Sequence, residues 1–414
     1  MANLQPVRGT HDIHGETMRR HRHVEETARA LASRYGYAEI APPIFEFTPV
    51  FARTLGEGSD VVRKEMYTFT DRGGEEVTLR PEFTAGIARA FISEGLRQHL
   101  PLKFFATGPV FRYERPQKGR LRQFHQIDAE ILGVPGPQAD IEIIALGAEI
   151  LERLGALSRC TLLLNTLGDP ASRQAYRQAL TDYFSRHEAA LSADSRDRLV
   201  RNPLRILDSK DEGDRALLAD APLLHGYLNA SSAEFFAGVC RGLDRQGIAY
   251  KIDQRLVRGL DYYTHTAFEF ITDALGAQGA VIAGGRYDGL IETLGGPATP
   301  GIGWAGGIER LGMLTTTLPQ EPSLIALVAF GKAAEEGAWL LARELRGQGF
   351  VVDLGFGGSL AKQMKRADRI GAKVAILLGD DELGRGEASL RDLASGEQRR
   401  IGLPALGQAL SAYR

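Results

Sequence analysis

The sequence predicts an α+β protein in which an antiparallel sheet with helices precedes a separate C-terminal α/β domain. Three observations support this fold class. Strand-like runs joined by turn signals dominate the first third of the chain. Helical periodicity interrupts them from about residue 168 to 245. After a linker, apolar strands alternate with amphipathic helices, which is typical of βαβ units and a partly parallel sheet.

The first elements follow from residue spacing and turn chemistry. Val24, Ala28 and Leu31 recur at helical spacing before Gly36, which predicts one amphipathic helix that ends near this glycine. The segment "EIAPPIFEFTPVF" is predicted to be extended, because a residue before proline avoids the helical region. A helix is predicted for "FTAGIARAFISEGL", and strands are predicted for "MYTFTD", "EEVTLR", "KFFATGPVFRYE" and "RQFHQIDAEILG".

The strand pattern resumes after the helical region and ends at a linker. Three segments carry it: "YKIDQRLVRGLDYYTHTAFEFIT", "GAVIAGGRYDGLI" and the glycine-rich "GIGWAGGIERLGML", which runs into a helix. Residues 315–323 contain two prolines and no periodicity, so we expect a domain boundary there. The predicted domains are residues 1–318, with the helical insertion, and residues 322–414.

Overall composition excludes several classes of function. A formal net charge of -2 argues against a general nucleic-acid coat but allows a local basic site. Two isolated cysteines, Cys160 and Cys240, make a disulfide framework or a cysteine zinc site improbable. The N-terminal residues lack an apolar signal region, and no apolar run is long enough to span a bilayer. These features predict a cytoplasmic protein.

Cations are concentrated in the stretch "FRYERPQKGRLR" between two predicted strands. Pro116 and Gly119 provide the turn residues. A cationic loop of this kind suits a polyphosphate or a nucleic-acid backbone, because lysine and arginine neutralise phosphates. The cations are Arg112, Arg115, Lys118, Arg120 and Arg122.

The strand that follows carries an amide and two carboxylates on one face. Alternation places Gln126, Asp128 and Glu130 on the side opposite to the apolar residues between them. Such a face can bind a small cationic ligand that forms hydrogen bonds. The alternative is that this face of the sheet simply points to solvent.

Two further arginines lie among glycines and are candidates for phosphate binding. Arg258 occurs in "LVRGLDYY", and Arg310 follows Glu309 at the start of a predicted helix. For either arginine, an ordinary ion pair is the alternative interpretation.

The segment "GIGWAG" matches the dinucleotide-binding pattern G-x-G-x-x-G. Lys332 occupies the place of the expected acidic residue, and Trp304 would crowd a pyrophosphate, so we reject this interpretation. The pairs His11/His14 and His21/His23 have no identifiable third ligand, and we predict no metal site for them.

Four stretches, in this order, resemble the motifs of class II aminoacyl-tRNA synthetases: "GPVFRYERPQKGRLRQFHQ", "RGLDYY", "GGRYDGL" and "GGIERL". The pair "LVRGLDYYTHTAFEF" and "AGGRYDGLIETLGG" resembles histidyl-tRNA synthetases in particular. The likeness covers essentially the whole chain, including the helical insertion and the C-terminal domain. It implies an antiparallel six-stranded catalytic sheet, a C-terminal anticodon-binding domain and a homodimer formed partly through "EIAPPIFEF".

The resemblance also implies a reaction and its substrates. L-histidine would react with ATP, accompanied by Mg²⁺, to form histidyl-adenylate, and the histidyl group would then pass to the 3'-end of tRNA(His). Arg112 would bind the α-phosphate, Arg310 the terminal phosphate, and Arg258 would be the catalytic arginine. The residues implied for histidine binding are Glu82, Thr84, Gln126, Glu130, Tyr263 and Tyr287.

Contacts to tRNA are implied for two groups of cations. Arg115, Lys118 and Arg120 belong to the loop beside the predicted active site. The second group lies on a C-terminal helix: Lys362, Lys365, Arg366 and Arg369. Their spacing of i, i+3, i+4 and i+7 places them on one basic face. The alternative is that this face is only solvated.

The chain departs from many bacterial family members at Phe83, where they have a small residue beside the implied ligand Glu82. Phe83 either reshapes the pocket or packs beneath it.

The main alternative function is a paralogue of the same fold, the regulatory subunit of an ATP phosphoribosyltransferase in histidine biosynthesis. Such chains typically lack the C-terminal domain and lose catalytic arginines, whereas this sequence has both. A nicotinamide oxidoreductase would depend only on "GIGWAG".

Overall fold

A computed structural model describes residues 4–56, 61–117, 119–209, 211–256, 262–276 and 279–414. The chain divides into two units, Met1–Leu318 and Pro319–Arg414. Arg258 and Lys118, both singled out from the sequence, lie outside the described residues.

The first unit contains two sheets. The larger has eight strands in the order β1-β5-β6-β11-β10-β9-β7-β8, and the smaller has three in the order β2-β4-β3. The strands are β1 (Ala38–Glu39), β2 (Phe45–Phe47), β3 (Tyr67–Thr70), β4 (Glu76–Leu79), β5 (Leu102–Phe111), β6 (Gln123–Leu132), β7 (Thr161–Thr166), β8 (Lys251–Ile252), β9 (Thr264–Ile271), β10 (Ala280–Arg286) and β11 (Gly301–Gly307).

The six strands from β5 to β7 in this order are all antiparallel to their neighbours, as the resemblance implies. The two short edge strands β1 and β8 pair parallel to β5 and β7, so the complete sheet is mixed. The predicted α+β fold is therefore confirmed, with two parallel edge strands that the sequence did not predict.

Ten α-helices accompany these sheets within the described residues. They are α1 (Gly15–Arg34), α2 (Thr48–Leu55), α3 (Thr84–Ser93), α4 (Gln138–Arg153), α5 (Pro170–Arg186), α6 (Ala193–Arg201), α7 (Glu212–Leu218), α8 (Ala230–Arg245), α9 (Leu290–Thr293) and α10 (Ile308–Leu314). Helices α5 to α8 make up the region that helical periodicity indicated.

The main core lies between one face of the large sheet and helices α1, α4, α8 and α10. Ile127 and Ile131 of β6 point into it, as the alternating pattern predicts, together with Val24 and Leu31 of α1. Buried Trp304 donates a hydrogen bond from Nε1 to the Ile143 carbonyl at 2.9 Å, which satisfies the polar end of this large side chain. The opposite face of β6 is thereby left for Gln126, Asp128 and Glu130.

The prediction that "EIAPPIFEFTPVF" is extended throughout was wrong at its end. Residues 48–51 begin helix α2, with Pro49 in its first turn. A proline there needs no hydrogen-bonded N–H and has a backbone angle suited to a helix start, so it initiates the helix. The earlier prolines, Pro42 and Pro43, lie outside any helix or strand.

The second unit contains a five-stranded sheet in the order β13-β12-β14-β15-β16. Strand β12 pairs parallel with β13 and β14, and β15 and β16 complete the sheet in antiparallel fashion. The strands are β12 (Leu324–Phe330), β13 (Val351–Leu354), β14 (Val374–Gly379), β15 (Glu387–Asp392) and β16 (Gln398–Gly402), and the helices are α11 (Lys332–Gly347), α12 (Leu360–Arg369), α13 (Asp380–Gly384) and α14 (Leu406–Ala409).

Helices α11 and α12 pack on opposite faces of this sheet. Ala338 of α11 belongs to the same core as Ile325 and Leu327, whereas Ala367 of α12 packs with Ala326 and Val328. The two predicted βαβ units are present. Among the described residues, no helix combines the length and apolar character needed to cross a membrane.

Candidate active site

A cavity of about 400 Å³ opens on the face of the large sheet that carries the polar residues of β6. Its wall includes small residues of β10 and β11, among them Ala283, Gly303 and Ala305. Eight of the site residues named from the sequence line it: Glu82, Thr84, Arg112, Arg120, Gln126, Tyr263, Tyr287 and Arg310.

Glu130 lies buried beside the cavity and joins two of its lining residues. The hydroxyl of Thr84 donates to Glu130 Oε1 at 2.6 Å, and the phenol of Tyr287 donates to Glu130 Oε2. Burial raises the pKa of Glu130 to about 8, although both hydrogen bonds oppose the shift. This carboxyl group is therefore poised to change its charge when a ligand with a cationic or N–H group enters.

Two glycines of β11 make room for this network. A Cβ atom on Gly303 would lie 1.5 Å from Glu130 Oε2, and one on Gly301 would lie 2.2 Å from the ring of Tyr287. Both glycines belong to "GIGWAG", which forms a strand and not a phosphate-binding turn. The structure thus contradicts the dinucleotide interpretation and gives these glycines a steric role.

Glu82 is fixed by the N-terminus of α3. Its carboxylate accepts hydrogen bonds from the N–H groups of Thr84 at 2.6 Å and Ala85 at 2.8 Å. Burial raises the pKa of Glu82, and these bonds and Arg112 partly offset the shift. The neighbouring Phe83 is buried under the guanidinium of Arg80, 4.1 Å from its ring centroid. Of the two interpretations of Phe83, packing is the one observed.

Gln126 presents an unsatisfied amide oxygen to the cavity. Within the described ranges, its buried Oε1 has no hydrogen-bond partner. An N–H group of a ligand would remove the cost of this unpaired acceptor. The alternative in which this face of β6 points to solvent is wrong, because Gln126, Asp128 and Glu130 are all buried.

Asp128 is fully buried on the same face of β6, between Gln126 and Glu130. Neither of its carboxylate oxygens has a hydrogen-bond partner among the residues that the structure describes. Burial raises its pKa well above the ordinary value, and the Glu130 and Glu82 carboxylates raise it further. The pattern of β6 placed Asp128 on this face, but it was not among the predicted site residues.

Tyr287 is anchored through the residue before it. The guanidinium of Arg286 is completely buried and pairs with the carboxylate of Asp140, which is equally buried. The same guanidinium also donates to the carbonyl groups of Val134 at 3.0 Å and Gly136 at 3.1 Å. This ion pair connects β10 to helix α4 and fixes the strand end from which Tyr287 points to Glu130.

Three arginines line the same cavity: Arg112, Arg120 and Arg310. Arg112 donates from Nε to the Pro81 carbonyl at 2.9 Å, and Arg310 donates to the carbonyls of Gly119 and Ala280. Burial lowers the pKa of Arg310, and repulsion from Arg120 and Arg112 lowers it further. A bound anion would relieve the repulsion between these cations, and guanidinium groups fit phosphate well.

Glu309 links Arg310 to the start of β6. Its carboxylate accepts from the backbone N–H of His125 at 3.0 Å and from His125 Nδ1 at 2.9 Å. Although burial alone would raise the pKa of Glu309, these hydrogen bonds lower it to about 2, so the group is ionised at neutral pH. Glu309 lines the cavity, and its place directly before Arg310 was the only sequence signal for it.

His21 completes a cluster with His125 and Glu309 that the sequence did not reveal. The imidazole rings of the two histidines meet edge to face at 4.5 Å, and one potential ligand atom from each of the three residues lies within 4.8 Å of the others. His21 therefore does have neighbours of the metal-ligating type. Its Nε2 lies 3.8 Å from Glu309 Oε1, which is too far for a hydrogen bond.

Arg115 is exposed in the loop after β5 and does not line the cavity, whereas Arg120, which does line it, pairs with Glu114 at 2.8 Å. In the second unit, Lys362, Lys365 and Arg369 are exposed on α12, whereas the guanidinium of Arg366 is paired with Asp353 of β13. Glu114 and Tyr262 are polar lining residues that the predicted site did not include.

The family model for histidyl-tRNA synthetase matches residues 9–311, and the model for the anticodon binding domain matches residues 324–412. The chain belongs to the histidyl-tRNA synthetase family. Relatives named histidine–tRNA ligase include that of Rhodospirillum rubrum, 59% identical over 414 residues with both chains fully covered. The relative from Gluconobacter oxydans is 56% identical over the same length, again with full coverage of both chains.

Solved structures agree with this membership. Apo histidyl-tRNA synthetase from S. aureus has a TM-score of 0.83 and 36% identity, and the match covers 98% of this chain and 99% of that one. A Bacillus halodurans protein described as an ATP phosphoribosyltransferase regulatory subunit or histidyl-tRNA synthetase is only 22% identical, with a TM-score of 0.66 over 87% of this chain and 96% of its own. The full-length relatives named as ligases favour the synthetase over the regulatory subunit.

Proposed function

We propose that this chain is a histidine–tRNA ligase that activates L-histidine with ATP and transfers the histidyl group to tRNA(His). The observation that carries this function is one cavity that brings together buried carboxyl groups and three arginines. A cationic amino acid and a polyphosphate would meet in this cavity. Membership of the histidyl-tRNA synthetase family supports the same conclusion.

The cavity offers charge and hydrogen bonds for histidine. Glu130, Tyr287 and Thr84 form one connected network, Glu82 adds a carboxylate, and Gln126 adds an amide oxygen that has no partner among the described residues. Tyr263 lines the same cavity. An imidazole satisfies these buried groups, whereas another side chain leaves some of them unpaired. Unpaired buried groups allow strong discrimination without editing.

The arginines of the cavity bind ATP. Arg112 contacts the α-phosphate and Arg310 the terminal phosphate of the nucleotide. A carboxylate oxygen of histidine attacks the α-phosphorus, the bond to the bridging oxygen of the β-phosphate breaks, and pyrophosphate leaves with that electron pair. Positive groups that face the reacting phosphate stabilise the charge that develops in the transition state. Arg258 is the third arginine assigned to this role.

Mg²⁺ accompanies ATP in this proposal. Magnesium sites typically use one or two carboxylates together with phosphate oxygens of the substrate. Glu114 lines the cavity close to Arg310 and offers such a carboxylate, so the residues present fit the ion. Glu114 would hold the ion there, and the bound ion would neutralise phosphate charge.

Binding of tRNA uses both units. Arg115, Lys118 and Arg120 of the loop between β5 and β6 contact the acceptor end, next to the cavity where transfer occurs. In the second unit, Lys362, Lys365, Arg366 and Arg369 contribute a basic helix face to the anticodon arm. The family match of this unit to anticodon binding domains supports the assignment.

The functional protein is a homodimer in this proposal. The small sheet leaves apolar side chains exposed: Phe45 and Phe47 of β2 and Phe69 of β3 are about half exposed. Phe47 and Phe69 both lie opposite Val77 of the central strand, so they share one face. An apolar sheet face of this kind is typical of a contact between subunits. Light scattering after size-exclusion chromatography tests the oligomeric state.

The proposed function is tested by ATP–pyrophosphate exchange with each amino acid offered separately, in the presence of Mg²⁺. Exchange with histidine alone, followed by charging of tRNA(His), is the expected result. Absence of exchange while histidine still binds would instead favour the regulatory paralogue.

A further inference from the structure

Phe356 of the second unit is an aromatic side chain almost completely exposed to solvent. It lies between β13 and α12, and 90% of its surface is accessible. Gly357 and Gly358, which follow it, have φ values of 81° and 105°, a conformation that favours glycine. Both faces of a ring this exposed are available to a ligand, and an aromatic face can stack on another flat ring.

The segment around Phe356 is held in place at both ends. The buried side chain of Gln363 donates to the carbonyl groups of Gly358 at 3.0 Å and Ala329 at 2.7 Å. The pair between Arg366 and Asp353 connects α12 to β13, the two elements that flank the segment. The ring of Phe356 is thus presented from an anchored turn.

Cations accompany the ring on the helix that follows. Lys362, Lys365 and Arg369 are exposed on α12. The aliphatic part of Lys362 runs along the turn, because a Cβ atom on Gly358 would lie 3.3 Å from its Cδ. An exposed aromatic ring followed by a helix with exposed lysine and arginine is a combination that suits unpaired nucleotides, since bases stack on the ring and phosphates pair with cations.

We propose that Phe356 is a stacking platform for an unpaired base of the tRNA anticodon loop, with Lys362, Lys365 and Arg369 neutralising the adjacent phosphates. This inference rests on the proposed function. In it the cations of the basic helix face contact phosphates, and Phe356 contacts a base. Stacking supplies affinity with little dependence on base identity, because every base has a π-face. Phe356 therefore strengthens binding of tRNA, and other groups select the sequence.

The test compares Phe356→Ala with Trp339→Ala in the full-length protein. Trp339 is a matched control, because it is also an exposed aromatic residue of this unit, 64% accessible, but on α11 across the sheet. Fluorescence anisotropy with a labelled tRNA(His) transcript measures Kd. We expect Phe356→Ala to raise Kd by about 5- to 150-fold. We expect Phe356→Tyr to restore binding and Trp339→Ala to leave Kd unchanged.

Two further readouts separate stacking from charge and from loss of structure. Lys362→Gln should reduce the dependence of log Kd on log salt concentration by about one, whereas Phe356→Ala should leave this slope unchanged. With an acceptor-stem minihelix that lacks the anticodon loop, Phe356→Ala should have no effect. Histidine-dependent pyrophosphate exchange should be normal in both aromatic variants.

The outcomes also distinguish this inference from the proposed function. An unchanged Kd in Phe356→Ala overturns the stacking role while exchange with histidine keeps the ligase assignment. An equal loss in Phe356→Ala and Trp339→Ala, or an equal loss with the minihelix, also overturns it. If wild-type protein neither exchanges with histidine nor binds the transcript, the ligase assignment and the stacking role are both wrong.

Discussion

Glu130→Gln removes a carboxyl group that is costly to ionise in the folded protein, and we expect it to stabilise the unliganded protein. Burial raises the pKa of Glu130 from 4.5 to about 8. An acid whose pKa rises on folding destabilises the folded state once it ionises, so the cost is absent below pH 4.5 and grows until about pH 8. At about 1.4 kcal/mol per pKa unit, the cost is roughly 5 kcal/mol above pH 8 and roughly 3 kcal/mol at pH 7.

The substitution preserves the shape of the site and changes its charge. Thr84 and Tyr287 donate to different oxygens of Glu130, so the glutamine oxygen can accept one of these hydrogen bonds while its NH2 group donates to the other hydroxyl oxygen. Urea unfolding at pH 5, 7 and 8.5 in a Trp339→Phe background, followed by the fluorescence of buried Trp304, measures the first unit. The midpoint of the variant should exceed that of the wild type by a margin that widens with pH. Histidine-dependent pyrophosphate exchange should fall by at least about tenfold, because a charged ligand of the substrate is lost.

Glu309→Gln is a control, because the same type of substitution should change the stability of the fold in the opposite direction. Hydrogen bonds with His125 lower the pKa of Glu309 from 4.5 to about 2 despite its burial. This carboxylate therefore stabilises the fold above pH 4.5 by roughly 3 kcal/mol, and the contribution is lost as pH falls through about 2. Glu309→Gln should be less stable than wild type at pH 7.

If Glu130→Gln were no more stable than wild type at pH 8.5, the argument about its buried charge would be refuted.

Three further substitutions test the steric, phosphate-binding and structural parts of the site. Gly303→Ala places a Cβ against the carboxylate of Glu130. The KM for histidine in pyrophosphate exchange should therefore rise roughly tenfold or more. An unchanged KM would show that the strand can shift to make room for the Cβ. Arg310→Ala should raise the KM for ATP roughly tenfold while histidine binding by calorimetry stays normal, and an effect on histidine alone would contradict the assignment. Asp140→Asn breaks the buried pair with Arg286 and should cost about 3–5 kcal/mol in urea unfolding; a cost below about 1 kcal/mol would rule out this anchor.

Periodicity predicted the elements best where one face of a strand or helix is apolar. Val24 and Leu31 of α1 and the alternating isoleucines of β6 lie in the core as their spacing indicates. The pairing of the edge strands was harder to predict from the sequence, because β1 and β8 have only two residues each and show no alternating pattern. Helix α2 was missed because its proline was taken only as a helix breaker, although it stands in the first turn.

The site residues divide according to what determines their position. Gln126 and Glu130 were found because they share a face of one strand. Glu309 and His125 meet across a separation of 184 residues, which no local pattern records. The roles of Gly301 and Gly303 were also hidden, because their importance lies in the space that they leave for Tyr287 and Glu130.

The contact between Glu309 and His125 connects the proposed phosphate-binding residue Arg310 with the proposed histidine-binding residue Gln126. Glu309 directly precedes Arg310, and His125 directly precedes Gln126. The carboxylate accepts from both the backbone N–H and the ring of His125, so it connects the start of β6 to the start of α10. A shift of Arg310 on binding phosphate would therefore be transmitted to the amide of Gln126 through one carboxylate and two peptide bonds. The ionised form of Glu309, favoured by its low pKa, keeps this connection intact at neutral pH.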